Sequence, residues 1–462
     1  MYYLAIDIGA SSGRHIIGNL KDGKLQLQEI YRFPNGTTEK DGKLVWDTEL
    51  LFSHVIKGLK ECKNRGIIPY SVGIDTWGVD YALLDQNDQL IGDVYAYRDL
   101  RTKKSSELTH EQVAFSEIYK STGIQFNLFN TVYQLYDDKL SGKLDNAKCM
   151  LTVPDYLHYL LSGVKVNEYT EASTTALINA QTRDWDFELI EKLGFPKCIF
   201  NKIAMPGTVL CGFTQKVKEL VGFDSLVVIP ASHDTASAVM AVPASDDNPL
   251  YISSGTWSLL GTELKNPITD QKALEFNMTN EGGYANTIRF LKNISGMWAI
   301  QNLKKEFNDQ YSFSEIASLA QKESEFAYEI DINGDRFLSP KSMSEEIKSC
   351  AKEMGKPIPQ TIGQLANVVY YSLAQLYAKT IEKLQTITGI EYKVLNVVGG
   401  GSQNVYLNAL TKTATKKVVM VGPTEGTAAG NILAQAISSG EIKDIKQGRK
   451  IISDSFGISE VE

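Results

Sequence analysis

The stretch that most limits what this chain can fold into is its opening, Leu4-Ala5-Ile6-Asp7-Ile8-Gly9-Ala10-Ser11-Ser12-Gly13-Arg14. The apolar run from Tyr2 to Ile6 predicts a buried strand. An aspartate ends it, a turn of small residues follows, and His15-Ile16-Ile17 starts a second apolar segment. Small residues let backbone N–H groups approach an anion closely, and the two serine hydroxyls add donors. Asp7, at the strand end, suits a magnesium ion held through water. Two readings stand side by side here: a phosphate cradle with its cation, or an ordinary hairpin whose glycines satisfy turn geometry.

The theme returns about half a chain later. Leu250-Tyr251-Ile252-Ser253-Ser254-Gly255-Thr256-Trp257-Ser258-Leu259-Leu260-Gly261 again reads strand, Ser-Ser-Gly, strand. It is an echo of pattern more than of identity. Two halves would each offer a Ser/Gly hairpin to one polyphosphate. A chain of 462 residues is long enough for two or three domains. The polar, turn-rich Asp246-Asp247-Asn248-Pro249 just before the second hairpin marks the boundary, giving segments 1–245 and 246–462.

Between the hairpins two stretches carry chemistry. In Ile74-Asp75-Thr76-Trp77-Gly78-Val79-Asp80, two aspartates flank a tryptophan between apolar strands. Carboxylates accept hydroxyl hydrogen bonds and an indole covers a sugar's C–H face, although a buried Trp with solvated loop aspartates fits as well. The charged loop Tyr97 to Thr102 either lines the same place or forms a surface ion-pair cluster. In Leu226 to Val239, an apolar strand runs through Ser232-His233-Asp234-Thr235 into a small-residue helix. A carboxylate at that junction serves as a general base, as a helix N-cap, or as both.

Helical spacing predicts Asp47 to Arg65, most of 105–165, Val153 to Gly163, Met297 to Phe307 and Ile362 to Thr388, the last ended by Gly389. Tyr169 to Ala176 is small and hydroxyl-rich, loop or pocket wall. A strand, Val394 to Val398, runs into Gly399-Gly400-Gly401-Ser402-Gln403-Asn404 and a helix from Val405. That is a nucleotide-contact geometry, but Asn404 stands where a dinucleotide fingerprint needs its third glycine. No G-x-x-x-x-G-K-[ST] occurs, which excludes a P-loop enzyme.

Composition narrows the partners. A net charge of −8 argues against nucleic acid and anionic membrane surfaces. The five cysteines are scattered with no Cys-x-x-Cys pair, and the five histidines lack metal-ligand spacing. No signal-peptide pattern or bilayer-length apolar run is evident, so the cytoplasm is the expected compartment. Oligomeric state is left open.

Two Ser/Gly hairpins, an aspartate at a strand–helix junction between them and a late triple Gly together resemble the sugar kinases of the FGGY group, within the actin/hexokinase/Hsp70-like ATPase superfamily. The likeness is closest to the members that act on L-rhamnulose. It rests on Ile74 to Asp80, Ala231 to Ser237, Ser253 to Ser258 and Asn280-Glu281-Gly282-Gly283, in order along nearly the whole chain. The resemblance implies an α/β fold of two ribonuclease-H-like, actin/hexokinase-type lobes with a cleft between them. Residues 1–245 would form the sugar- and phosphate-binding lobe and 246–462 the nucleotide-binding lobe. It further implies that Ala10, Ser11, Ser12, Gly13, Arg14, Thr256, Gln301, Gly399 and Gly400 contact ATP. Gly78, His233, Asp234, Thr235 and Asn293 would contact the sugar, Asp234 would be the base, and Asp7 would help hold Mg²⁺. Phosphorylation of a ketose by ATP follows as the expected activity, with L-rhamnulose ahead of fuculose and xylulose. The rivals are a non-kinase ATPase on the same fold and an oxidoreductase built on Gly399-Gly400-Gly401. The stretch from Glu306 to Gln360 carries few of the family's motifs.

Overall fold

A computed structural model describes residues 1–244 and 246–462; Ser245, the last residue of the expected first lobe, lies outside the described residues. The elements that position the site are, in chain order, β1 (Tyr2–Ile8), β2 (Ser12–Lys21), β3 (Lys24–Pro34), α1 (Thr48–Asn64), β4 (Ser71–Thr76), β5 (Tyr81–Leu84), β6 (Cys149–Thr152), α2 (Val153–Ser162), α3 (Tyr169–Ser173), β7 (Val209–Gly212), β8 (Leu226–Val228) and α4 (Asp234–Met240). They continue with β9 (Leu250–Ser254), β10 (Trp257–Leu264), β11 (Thr279–Gly282), β12 (Ile288–Ser295), α5 (Trp298–Glu306), α6 (Ile362–Thr388), β13 (Val394–Val398), α7 (Val405–Thr415), β14 (Val418–Val421), α8 (Gly426–Ser438), α9 (Ile445–Ser455) and β15 (Ser459–Glu460).

These elements group into two compact units. The first takes Met1–Ala241, Glu263–Phe290 and Gly426–Ser455; the second takes Val242–Thr262, Leu291–Glu425 and Phe456–Glu462.

In the first unit a six-stranded sheet runs β7-β8-β4-β1-β2-β3. The opening hairpin is antiparallel, with Asp7 opposite Arg14 and Ile8 opposite Gly13. β1, β4 and β8 are parallel neighbours, and Asp7 pairs in register with Asp75. Parallel strands buried on both faces read as continuous apolar runs, and Leu4, Ala5, Ile6, Val72 and Ile74 are fully buried. α1 starts where Asp47 accepts from the Leu50 amide and stops before Gly66, whose φ is 71°. α8 packs on this sheet and on α4 through small residues: a methyl group at Gly430 would lie 1.7 Å from the Ser237 carbonyl oxygen.

The segment 105–165 is mostly helical, with breaks after Thr122 and after Leu140; in the second of these lies β6, which pairs antiparallel with β5, Leu83 opposite Met150. Cys149-Met150-Leu151-Thr152, next to a helix, carries no period of its own, and its partner lies in a distant stretch.

In the second unit β9 pairs antiparallel with β10 and parallel with β13, which pairs parallel with β14, itself edged by antiparallel β15. The 27-residue α6 begins with a reciprocal cap between Thr361 and Gln364 and ends at left-handed Gly389. Between 306 and 360, where the sequence offered few motifs, two further helices form, Phe313–Ala320 and Met343–Glu353. No described helix is long and apolar enough to cross a membrane.

Candidate active site

In the first unit three carboxylates stand at the ends of adjacent parallel strands. Asp7 lies at the end of β1 and Asp75 beside it on β4. Asp234 follows β8, and the segment between them is tied to β4 by the Thr76 amide donating to the Ser232 carbonyl at 2.9 Å. The carboxyl ends of parallel strands are where open α/β sheets bind ligands. Burial, then the neighbouring Asp7, drives the Asp75 carboxyl well above the usual carboxylate range. Asn431 donates to Asp75 Oδ2 at 2.5 Å, while Oδ1 is buried with no hydrogen-bond partner.

Asp234 is the first residue of α4, with His233 in the cap position, so it is not itself the N-cap. Its Oδ1 accepts from the Thr235 amide at 2.6 Å and the Thr235 hydroxyl at 3.2 Å. His233 Nε2 lies 3.5 Å from the same oxygen, and the aspartate side chain is 33% exposed. Every one of these contacts falls on Oδ1, which leaves Oδ2 as the oxygen that can take a proton. Burial raises the Asp234 pKa above the ordinary value, His233 opposes that, and Asp7 adds to it. A carboxylate tuned upward, with one oxygen committed and one open, is what a general base requires.

The turn between β1 and β2 is braced from outside. The Gly9 amide donates to the Ser12 carbonyl at 2.9 Å; Asn35 donates from its amide to the Ser11 carbonyl at 3.1 Å and from its side chain to the Gly9 carbonyl at 2.8 Å. Ser11 is exposed and Ala10 and Ser12 are half-buried. Gly13 sits under the Phe33 ring, where a Cβ would lie 2.1 Å from the ring carbon Cζ. Arg14 reaches back to Asp7 at 2.6 Å, through Oδ2. Asp7 is a carboxylate, the kind of ligand a hard divalent cation takes together with water and phosphate oxygens, and Arg14 occupies one of its two oxygens.

Gly78 lies between β4 and β5, with Thr174 close enough that a Cβ would come within 3.1 Å of it. The next residue, Val79, has φ of 72°, rare for a β-branched side chain. Thr131 donates to its carbonyl at 2.6 Å and Thr174 accepts from its amide at 3.1 Å, so the conformation is held by both peptide groups. Asp80 departs from the sugar-contact reading. Its buried carboxylate accepts from the indoles of Trp46 (2.7 Å) and Trp77 (2.9 Å), the Tyr97 amide (3.0 Å) and Gln134 (3.0 Å). Trp77 packs on Trp46 with ring centroids 4.1 Å apart. That pair is an internal anchor for the loop carrying Gly78. Arg101 is likewise taken up, by Asp137 and Asp138 at 2.9 Å each.

In the second unit, the expected nucleotide residues gather at one end of the sheet. Thr256 is in the β9–β10 turn, and its carbonyl accepts from the Trp298 amide at 3.1 Å, as that of Gly255 does from Met297. The turn is thereby tied to the start of α5, and Gln301 reaches the Thr256 hydroxyl at 3.5 Å. Gly399 ends β13 with φ of 85°, and a Cβ there would meet the Ser254 carbonyl oxygen at 2.9 Å. Gly400 has open space where its Cβ would be. Asn404 caps α7 by accepting from the Leu407 amide, which explains its place in the glycine run. Asn293 lies on β12, also in the second unit.

The sequence reading missed the groups that surround Asp234. Arg289, with no exposed side-chain area, donates to His233 Nδ1 at 3.0 Å and to the Gly282 carbonyl at 2.7 Å; Glu281 lies 3.2 Å from it. Asp155, Glu168 and Glu171 are buried acids nearby in the first unit. Burial lifts Asp155 to about 7 and Glu168 to about 8, and holds Glu171 well above its usual range. Glu168 accepts from the amides of Thr170, Glu171 and Ser232 and so ties α3 to the segment before Asp234. Asn280-Glu281-Gly282-Gly283 was visible as a motif, but nothing local connects it with residue 233.

Comparison with known proteins adds independent findings. The N-terminal domain model of the FGGY family of carbohydrate kinases matches residues 2–241, and the C-terminal domain model of that family matches residues 250–439. A rhamnulokinase of Halalkalibacterium halodurans is 46% identical over 459 residues, covering 99% of this chain and 98% of the relative. The rhamnulokinase of Bacillus subtilis is 43% identical, covering 99% of this chain and 94% of the relative. Among solved structures, a xylulose kinase from Lactobacillus acidophilus superposes with a TM-score of 0.79 at 16% identity, over 100% of this chain and 93% of that one. A Plasmodium falciparum glycerol kinase with ADP gives 0.77 at 14% identity, over 100% and 94%. At those identities the structural matches speak to fold alone.

Proposed function

The chain belongs to the FGGY family of carbohydrate kinases, and on that premise we propose that it transfers the γ-phosphoryl group of ATP to the carbon 1 hydroxyl of L-rhamnulose, giving L-rhamnulose 1-phosphate in L-rhamnose catabolism. The observation that carries the chemistry is the Asp234 carboxylate, with Oδ1 engaged by Thr235 and Oδ2 left to accept a proton. The near full-length likeness to rhamnulokinases supports the choice of ketose.

In this reading Asp234 Oδ2 takes the hydroxyl proton as the sugar oxygen attacks the γ-phosphorus in line. The new O–P bond forms as the bond to the β-phosphate oxygen breaks, and ADP leaves. Little covalent work falls to the protein; positioning and charge stabilisation do most of it. Backbone N–H groups and hydroxyls of Ala10, Ser11, Ser12 and Gly13, with Arg14, act as donors to phosphate oxygens, and Thr256, Gln301, Gly399 and Gly400 contact the nucleotide. Gly78, His233, Thr235 and Asn293 contact the sugar. Asn293 apart, segment 1–245 supplies the sugar- and phosphate-holding groups and 246–462 the nucleotide-holding groups. Bound Mg²⁺, near Asp7, would neutralise phosphate charge. All five cysteines are free thiols, which suits the reducing, ATP-rich cytoplasm.

A panel of ketoses with ATP, read by coupled ADP release, tests this. L-Rhamnulose should give the highest kcat/KM, with fuculose and xylulose well below it. ADP release that does not depend on any sugar would refute the kinase reading, and a clear preference for another ketose would refute the choice of substrate.

A further inference from the structure

His233 sits in the cap position of α4, beside the proposed base, and its ring is gripped from behind. Arg289 Nη2 lies 3.0 Å from His233 Nδ1. A guanidinium only donates; it has no lone pair to offer and stays charged. A proton on Nδ1 would point at an N–H hydrogen, so Nδ1 must present its lone pair to Arg289. In the neutral ring the single proton then belongs to Nε2. The competing arrangement, Nδ1–H donating to Glu281 Oε2, has a separation of 3.4 Å, longer than the arginine contact.

The rest of the cluster fixes Arg289 in place. Its Nε donates to the Gly282 carbonyl at 2.7 Å, and Glu281 lies 3.2 Å from Nη2 and balances the charge. Gly282 is itself docked: its amide donates to Ser173 Oγ at 2.7 Å, and a Cβ there would run into the Tyr169 ring at 2.6 Å. The guanidinium is fully buried, and its Nη1 has no hydrogen-bond partner. A buried donor left unmet is costly. The cluster holds Arg289 where it serves His233 while its own hydrogen bonding stays incomplete.

We propose that Arg289 is a positioning residue for the acceptor side of the reaction: paired with Glu281, it locks His233 as the Nε2–H tautomer, so that His233 faces Asp234 and the ketose as a hydrogen-bond donor. A donor there recognises an oxygen of the acceptor sugar, whether carbonyl, ring or hydroxyl. Nε2 also lies 3.5 Å from Asp234 Oδ1, the oxygen that Thr235 already engages, which leaves Oδ2 as the basic oxygen. This assignment of roles rests on the kinase reading above, while the tautomer itself does not.

The test uses the full chain labelled with ¹⁵N-histidine, with His233 identified by loss of its signals in His233→Asn. Two-bond N–H couplings distinguish the two tautomers directly. Wild type should show the Nε2–H pattern at His233. Arg289→Met should lose it in favour of Nδ1–H or a mixture, and should raise the KM for ketose about tenfold, the worth of one well-placed hydrogen bond, with the KM for ATP unchanged. Arg289→Lys, which keeps a cationic donor, should retain the tautomer and recover part of the loss. An Nδ1–H pattern in wild type would overturn the proposal, with no variant required. So would an Arg289→Met protein that keeps the wild-type tautomer, or one whose ketose and ATP constants shift together. If wild type shows no sugar-dependent turnover, the kinase reading fails, and the spectrum still decides the tautomer.

Discussion

Gly430→Ala tests how α8 supports the proposed base, and the prediction turns on its sign. In an ordinary helix interior this change stabilises by about 0.5–1 kcal/mol, because alanine loses less backbone freedom than glycine. Here the added Cβ would lie 1.7 Å from the Ser237 carbonyl oxygen and 2.6 Å from its carbon. Non-bonded heavy atoms settle near about 3.5 Å, so α8 and α4 must separate by on the order of 2 Å. The obstacle is backbone, so no rotamer change relieves it. Overpacking of this kind costs about 1–3 kcal/mol. After the propensity gain is subtracted, a net loss of up to about 2.5 kcal/mol is expected, seen as a fall in Tm. Ser237 lies three positions after Asp234 on α4, so the shift reaches the carboxylate. A misplacement of about 1 Å at a reacting group costs on the order of a hundredfold in rate. Thermal unfolding and a coupled ADP assay with saturating ketose and ATP read both effects. A Gly430→Ala protein with raised Tm and kcat within twofold of wild type would refute the close α4–α8 contact and its role in holding Asp234.

Three further outcomes follow from the geometry. Gly13→Val puts a branched side chain into the Phe33 ring and should weaken ATP binding at least tenfold with little change in the KM for ketose; equilibrium titration with a fluorescent ATP analogue measures it, and an unchanged constant would make the opening turn purely structural. The acid limb of the kcat/KM profile should lie above the ordinary aspartate value, because Asp234 must be unprotonated to act and its folded pKa is raised; a limb at the ordinary value of about 4 contradicts that. Glu168 and Asp155 have folded values of about 8 and about 7, against about 4 when unfolded. Their contribution to stability is therefore fully present below about pH 4 and is lost as pH rises toward 8. Glu168→Gln should flatten that slope in denaturant titrations across the range, and an unaltered slope would show that Glu168 does not titrate there.

What could be read from residues alone was whatever is settled locally. The opening hairpin, α1 with its Asp47 cap, α6 with its Gly389 stop and the second Ser/Gly hairpin all declare themselves by period, cap and turn chemistry within a few positions. The carboxylate at 234 was legible because a strand and a helix meet there. Long-range partners were not. Asp80 looked like a sugar contact beside Trp77, yet the Trp46 indole, 34 positions earlier, takes up its carboxylate. Asn431 reaches Asp75 across 356 positions, through a helix whose small residues said only that something packs closely. Arg289 meets His233 across 56 positions, and a lone arginine in a strand carries no local sign of its target. Strand β6 was hidden because its pairing with β5, not its own composition, makes it a strand.

The most direct measurement is the product itself: incubate L-rhamnulose with ATP and Mg²⁺, follow phosphate attachment by ³¹P and ¹³C NMR, and repeat with Asp234→Asn. The account predicts phosphorus coupled to carbon 1 with wild type, and a loss of turnover of several orders of magnitude in the variant while ATP affinity stays near normal. Phosphate on another carbon, or an Asp234→Asn protein that keeps most of its turnover, would contradict it.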